Sequence, residues 1–284
     1  MSTRPDSSPP TALQAQKLAF IGGGNMASAI IGGLIKQGLS PSHMAVVEPF
    51  AEARARLLTQ YGVSAQEHAD ATLQDATLVI WAVKPQTFRD AAALTGHFTT
   101  QALHLSVAAG IRSDSIARWL ASERVVRAMP NTPALVGRGI SGLFARAAVS
   151  AQDKALVQSV IATTGEHLWV DAEAQLDAVT ALSGSGPAYV FYFLEAMVQA
   201  GAGMGLPPEA ARQLAISTFS GAAELARQSI EPIELLRERV TSKGGTTYAA
   251  LCAMERDGIK PLFVQAMRAA GARAAELGDE FGAP

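Results

Sequence analysis

Cysteine is almost missing from this 284-residue chain: Cys252 stands alone, so no internal disulfide can form, as in a protein of a reducing compartment. It lies in an Ala/Leu-rich helical run, where packing is expected rather than thiol chemistry. Charge is scarce too, at 17% of residues with a net value of −2 and no basic block, which argues against a nucleic-acid surface. No long apolar run is uninterrupted: the best candidate, 188–205, carries Glu195 and Gln199, so no membrane span is expected. His43, His68, His97, His104 and His167 are scattered, with no H-x-x-x-H or C-x-x-C spacing to hold a metal. Neither a nucleophile elbow nor a Walker loop occurs. The first 16 residues are rich in Ser, Pro, Thr and Gln without an apolar core, and read as a loose tail rather than a signal peptide. What is plentiful is hydrophobic residue, 49% of the chain, enough to fill two cores. The reading is a cytoplasmic protein of two domains after a tail at 1–16.

From 17 to 171, short apolar runs alternate with helical segments, the pattern of a Rossmann-type, doubly wound α/β sheet. Strands are predicted at 18–21, 45–47, 78–82, 103–107 and 125–128, with further β-like runs at 139–145 and 167–170 around a helix at 151–164. From 172 to 284 the β-like runs vanish and helices are predicted throughout, with Pro207, Pro232 and Pro261 at helix starts and Gly205 and Gly258 at helix ends. One helix, carrying Tyr189, Phe191, Tyr192, Phe193 and Met197, is apolar almost all round. A bundle of five or six helices is too small to cover it, so it is expected in a homodimer interface.

Two glycine turns carry the chemistry. Gly22, Gly24 and Ala27 hold the G-x-G-x-x-A positions between the first strand and a helix that also takes in Asn25 and Met26. The first glycine makes the turn, the second admits a pyrophosphate, and the small third residue lets helix and sheet approach. Glu48 ends the second strand, where an acid accepts from a ribose 2′-hydroxyl and leans towards NADH. Arg54 and Arg56, just downstream, offer a phosphate partner instead, or simply a solvated helix face. Ala82, Val83, Lys84 and Pro85, and Met129, Pro130 and Asn131, end two more strands at the same crevice, either for the cofactor or as structural turns. Ser183-Gly184-Ser185-Gly186 lacks a preceding strand and reads as a cap and close-packing hinge. The second turn, Ser242-Lys243-Gly244-Gly245-Thr246-Thr247, gathers backbone amides and hydroxyls suited to a carboxylate or phosphate. Its plain alternative is a helix C-cap and an N-cap placed back to back.

Together, Phe20-Ile21-Gly22-x-Gly24-Asn25-Met26, Ala82-Val83-Lys84-Pro85, Arg127-Ala128-Met129-Pro130-Asn131-Thr132-Pro133, Ser183-Gly184-Ser185-Gly186-Pro187-Ala188-Tyr189 and Val240-x-Ser242-x-Gly244-Gly245-Thr246-Thr247 resemble pyrroline-5-carboxylate reductase, in family order. The resemblance implies a Rossmann domain followed by a helical dimerisation and substrate domain, and reduction of 1-pyrroline-5-carboxylate to L-proline, the last step of proline biosynthesis. NADPH or NADH is the implied cofactor, and a homodimer that can build a decamer the implied assembly. On this reading the backbone of Gly244, Gly245 and Thr246 takes the substrate carboxylate with help from Ser242, and the Thr247 hydroxyl faces the ring nitrogen. Two residues depart from the family pattern: Lys243 replaces a common proline, and Glu48 stands where NADPH-preferring members carry small polar or basic residues. The alternatives are a related imine or β-hydroxyacid reductase, and a non-catalytic dinucleotide-sensing protein.

Overall fold

Short apolar runs bounded by turn residues become strands in the computed structural model, which describes residues 11–282. β1 (Leu18–Ile21), β2 (Met44–Val47), β3 (Ala65–Gln66), β4 (Leu78–Trp81), β5 (Leu103–Ser106), β6 (Val125–Met129), β7 (Gly139–Ala145) and β8 (Gly165–Trp169) form one sheet in the order β3-β2-β1-β4-β5-β6-β7-β8. The first six strands are parallel; β7 runs antiparallel to β6 and parallel to β8. Strand order reverses between β1 and β4, the switch point at which open α/β sheets bind ligands.

Successive side chains face opposite sides of a strand, and both sides are buried here. Leu18, Phe20, Leu78 and Ile80 join one core with Leu57, Val157 and the Ile30, Ile31 and Leu34 face of the second helix. Ala19, Ile21, Val79 and Trp81 join the other with Phe88, Ile116 and Leu120. The covering helices are α1 (Thr11–Gln14), α2 (Asn25–Lys36), α3 (Ala51–Tyr61), α4 (Pro85–Thr95), α5 (Ser113–Leu120) and α6 (Ala151–Ile161). Each large apolar side chain so buried contributes about 1.5–3 kcal/mol. A capping box opens α6: the Asp153 amide donates to Ser150 Oγ at 3.1 Å and the Ser150 amide to the Asp153 carboxylate at 3.0 Å.

Two compact units result, one running to Ser185 and taking in residues from Ala270 onward, the other Gly186–Ala269. In the first, α7 (Gln175–Val179) continues into a π-helical turn over 180–184. The closing residues of the last helix lie on this unit. Ala274 and Gly278 are buried, the Arg112 guanidinium donates to the Ala275 carbonyl at 3.4 Å, and Ser115 Oγ donates to the Gly282 carbonyl at 3.1 Å. The second unit is built from α8 (Gly186–Gly203), α9 (Pro208–Gln228), α10 (Ile233–Arg239), α11 (Thr246–Arg256) and the first part of α12 (Ile259–Gly282). Small residues let α8 and α9 approach closely, since a Cβ at Gly201 would lie 2.9 Å from that of Ala211. Tyr189 and Phe193 set their rings edge-on to Phe263, with centroids 5.6 and 5.5 Å away.

Four expectations change. Residues 1–10 of the expected tail lie outside the described residues, but 11–14 form α1, and Leu13 is buried in the first core. The two-residue β3 was not foreseen. Pro261 stands inside the first turn of α12 rather than at its start, where its missing N–H breaks no intrahelical bond. Cys252, expected to pack, is exposed on α11. The mostly apolar α8 leaves Phe191 59% and Tyr192 70% exposed, so its outer face has no cover among the described residues.

Candidate cofactor and anion sites

The first glycine turn is fixed by its neighbours. Gly22 adopts φ +95°, and its amide donates to the Val47 carbonyl at 2.8 Å. A Cβ there would lie 2.6 Å from the Ala82 carbonyl oxygen and 3.1 Å from Val83, so β1 and β4 close around it. Gly24 is the opposite: a Cβ there meets no described atom within 4 Å, and the residue is exposed at the start of α2. No described side chain caps that helix, so its first amides stand open to an anion. A pyrophosphate therefore fits this cradle: backbone at the turn, open space at Gly24 and a helix N-terminus beyond. Asn25 is exposed at the same opening, whereas Met26 leans onto the first core.

Glu48 lies at this loop, in an inward-turned role. Only 5% exposed, it accepts from the Gly23 amide at 2.6 Å through Oε2 and from the Phe50 amide at 2.8 Å through Oε1. It braces the glycine loop with both oxygens. Lys84 is exposed and precedes Pro85, the first residue of α4, and its carbonyl accepts from the Thr87 amide at 3.0 Å. Met129 ends β6 and presses on Gly184, where a Cβ would lie 2.5 Å from its terminal methyl. Pro130 is buried, and the Asn131 side chain donates to Ser183 Oγ at 3.2 Å while accepting from the Ile140 amide at 3.0 Å. The close-packed Gly184 is thus explained by the methionine, and the Asn131 amide by two protein partners.

In the second unit, Ser242-Lys243-Gly244-Gly245 forms a tight turn: Gly244 takes φ +77° and the Gly245 amide donates to the Ser242 carbonyl at 2.9 Å. Gly245 is the N-cap of α11, and no described side chain caps it. The back-to-back reading therefore fails in part, because α10 ends at Arg239 with Val240 as its C-cap, before the glycines. Ser242, Gly244, Thr246 and Thr247 are exposed around this uncapped helix start. Among the described residues no cluster of three or more His, Cys, Asp or Glu is placed to hold a metal.

Two buried polar groups had no sequence signal. Arg127 of β6, 4% exposed, donates to Glu173 at 2.6 Å, and Glu173 also accepts from the amide and hydroxyl of Ser113, each at 2.6 Å. Burial lowers the Arg127 pKa from its ordinary value, with Glu173 opposing the shift. On β5, His104 is 1% exposed; its Nδ1 accepts from the Trp81 indole at 3.2 Å, and its Nε2 has no partner among the described residues. Burial first, then the charge of Arg124, pushes its pKa down to about 4.

Comparison with known proteins bears on these sites. A family model described as "Pyrroline-5-carboxylate reductase dimerisation" matches residues 173–277, and one described as "NADP oxidoreductase coenzyme F420-dependent" matches 17–110. A pyrroline-5-carboxylate reductase of Pseudomonas aeruginosa is 43% identical over 273 residues, covering 95% of this chain and 100% of its own. The solved pyrroline-5-carboxylate reductase of Coxiella burnetii superposes with a TM-score of 0.86 at 37% identity, over 92% of this chain and 98% of its own. That of Plasmodium falciparum, with NADP bound, gives 0.84 at 26% identity, over 93% and 99%.

Proposed function

The chain belongs to the pyrroline-5-carboxylate reductase family, and we infer that it reduces 1-pyrroline-5-carboxylate to L-proline with NAD(P)H. We assign the cofactor to 17–171 and substrate binding and dimerisation to 172–284. When bound, NAD(P)H supplies the hydride that converts the imine carbon to a saturated one. Gly22 and Gly24 shape the pyrophosphate cradle, with Asn25 at its rim and Met26 seating α2 on the core. Glu48 holds the loop, while Ala82, Val83, Lys84, Pro85, Met129, Pro130 and Asn131 line or stiffen the neighbouring strand ends.

For the substrate, the amides of Gly244 and Thr246 take the carboxylate in the turn that Gly245 closes through its bond to Ser242, with the Ser242 hydroxyl assisting. The Thr247 hydroxyl orients the ring nitrogen and relays the proton that this nitrogen carries as the imine becomes an amine. A protonated imine is already electrophilic, so the protein's task is positioning, worth about 7–11 kcal/mol when reactants are held aligned. The observation that carries this assignment is the start of α11, where Gly244 at φ +77° leads into amides that no described side chain caps. The exposed apolar face of α8 supports homodimerisation; a decamer as the larger assembly and the cytoplasm as the compartment come from the family reading alone.

The test follows NAD(P)H consumption with 1-pyrroline-5-carboxylate. Thr247→Ala is expected to lower kcat/KM by about 10- to 100-fold, the loss of one hydrogen bond worth about 1–3 kcal/mol. Unchanged kinetics in that variant would remove Thr247 from the site. No turnover by the wild-type protein would overturn the reading itself.

A further inference from the structure

The first turn of α3 places a cation at the end of β2. Arg54 donates through Nη1 to the carbonyls of Glu48 at 2.9 Å and Pro49 at 2.7 Å, which anchors its guanidinium there. Through Nη2 it donates to Glu67 Oε2 at 3.1 Å, just beyond β3. The Arg54 side chain is 22% exposed and that of Glu67 55%. The other Glu67 oxygen lies 3.5 Å from His68 Nε2.

This is the position at which dinucleotide-binding sheets read the adenosine ribose: an acid takes the 2′-hydroxyl, whereas an arginine nearby accommodates a 2′-phosphate. Glu48 is the acid, but each of its oxygens already serves a loop amide. Its charge remains; its best acceptor positions are spent on the glycine turn. Discrimination then passes outward to Arg54 and to the acid that neutralises it.

We propose that Glu67 sets cofactor choice by holding Arg54, withholding the guanidinium from a 2′-phosphate and favouring NAD(H). The two carbonyl anchors keep Arg54 at the strand end when Glu67 is neutralised. With the opposing carboxylate charge removed, the Nη2 N–H groups are then able to make a charge-assisted bond to phosphate. Because the carboxylate is largely exposed, the pair itself adds little to folding, so its loss alters recognition rather than stability. Glu67 is a positioning residue acting through Arg54. This inference rests on the NAD(P)H reading above.

Calorimetric titration separates the two. NAD+, NADP+, ADP and 2′,5′-ADP are each titrated into wild-type protein, Glu67→Gln and Glu67→Gln/Arg54→Gln. Glu67→Gln is expected to tighten NADP+ and 2′,5′-ADP by about tenfold, the worth of one charge-assisted hydrogen bond, with NAD+ and ADP held within about twofold. The double variant should lose that gain. A general structural effect would move all four ligands together. Parallel shifts, or an unchanged Kd for NADP+ in Glu67→Gln, would overturn the proposal. If neither dinucleotide binds the wild-type protein, the cofactor reading itself falls.

Discussion

At Gly22 an added Cβ would lie 2.6 Å from the Ala82 carbonyl oxygen, whereas at Gly244 it would meet no described atom within 4 Å. Both residues take positive φ, +95° and +77°, and both precede a helix whose first amides no described side chain caps. The first turn is nevertheless held by tertiary packing: β1 and β4 close on it, and a buried glutamate bonds to the amide beside it. The second is held by its own chain, through one hydrogen bond from Gly245 to Ser242 at 2.9 Å. Similar backbone needs are thus met by long-range contacts in one unit and by local geometry in the other.

The largest expected effect breaks the contrast at the packed turn. Gly22→Ala combines a left-handed penalty of about 1–2 kcal/mol with overlap costing about 1–3 kcal/mol more. Denaturant unfolding should show a loss of about 2–5 kcal/mol, and calorimetry a weakened dinucleotide. A smaller effect places the acid sensitivity of the protein in the same unit. The His104 pKa lies at about 4 in the fold against an ordinary 6.5. Its neutral form is therefore favoured on folding: stability is full above 6.5 and falls with pH through the window down to about 4. The difference amounts to about 3 kcal/mol, and His104→Phe should flatten unfolding free energy against pH between those values. The smallest effect belongs to the open turn. Gly244→Ala carries only the left-handed penalty, so about 1–2 kcal/mol of stability is at stake. A loss at Gly244 equal to that at Gly22 would erase the distinction.

The same contrast decides what could be read from the sequence. β1, β4, β5 and β6 are nearly continuous apolar runs because both of their faces are buried, and they were legible at once. The two-residue β3 sits at the sheet edge with no such run, and it was missed. Gly22 and Gly24 were legible because strand, turn and helix adjoin in sequence. The inward turn of Glu48, the Arg54–Glu67 pair and the Arg127–Glu173 pair were not, since each joins residues 13 to 46 positions apart and leaves no local pattern. In the helical unit the apolar faces were legible while their partners were not, because Phe191 and Tyr192 remain uncovered by the described residues.

The final turns of α12 return to the sheet unit: a Cβ on Gly110 would touch Leu277 and Phe281 at 3.2 Å, and Arg112 lies against Gly278. Synthesis adds roughly 5–20 residues per second, so every strand leaves the ribosome well before these residues do. The nascent sheet must wait, with one patch bare, until α12 has been translated. Shortening or altering the final turns of α12 is therefore a perturbation of the sheet, far away in sequence.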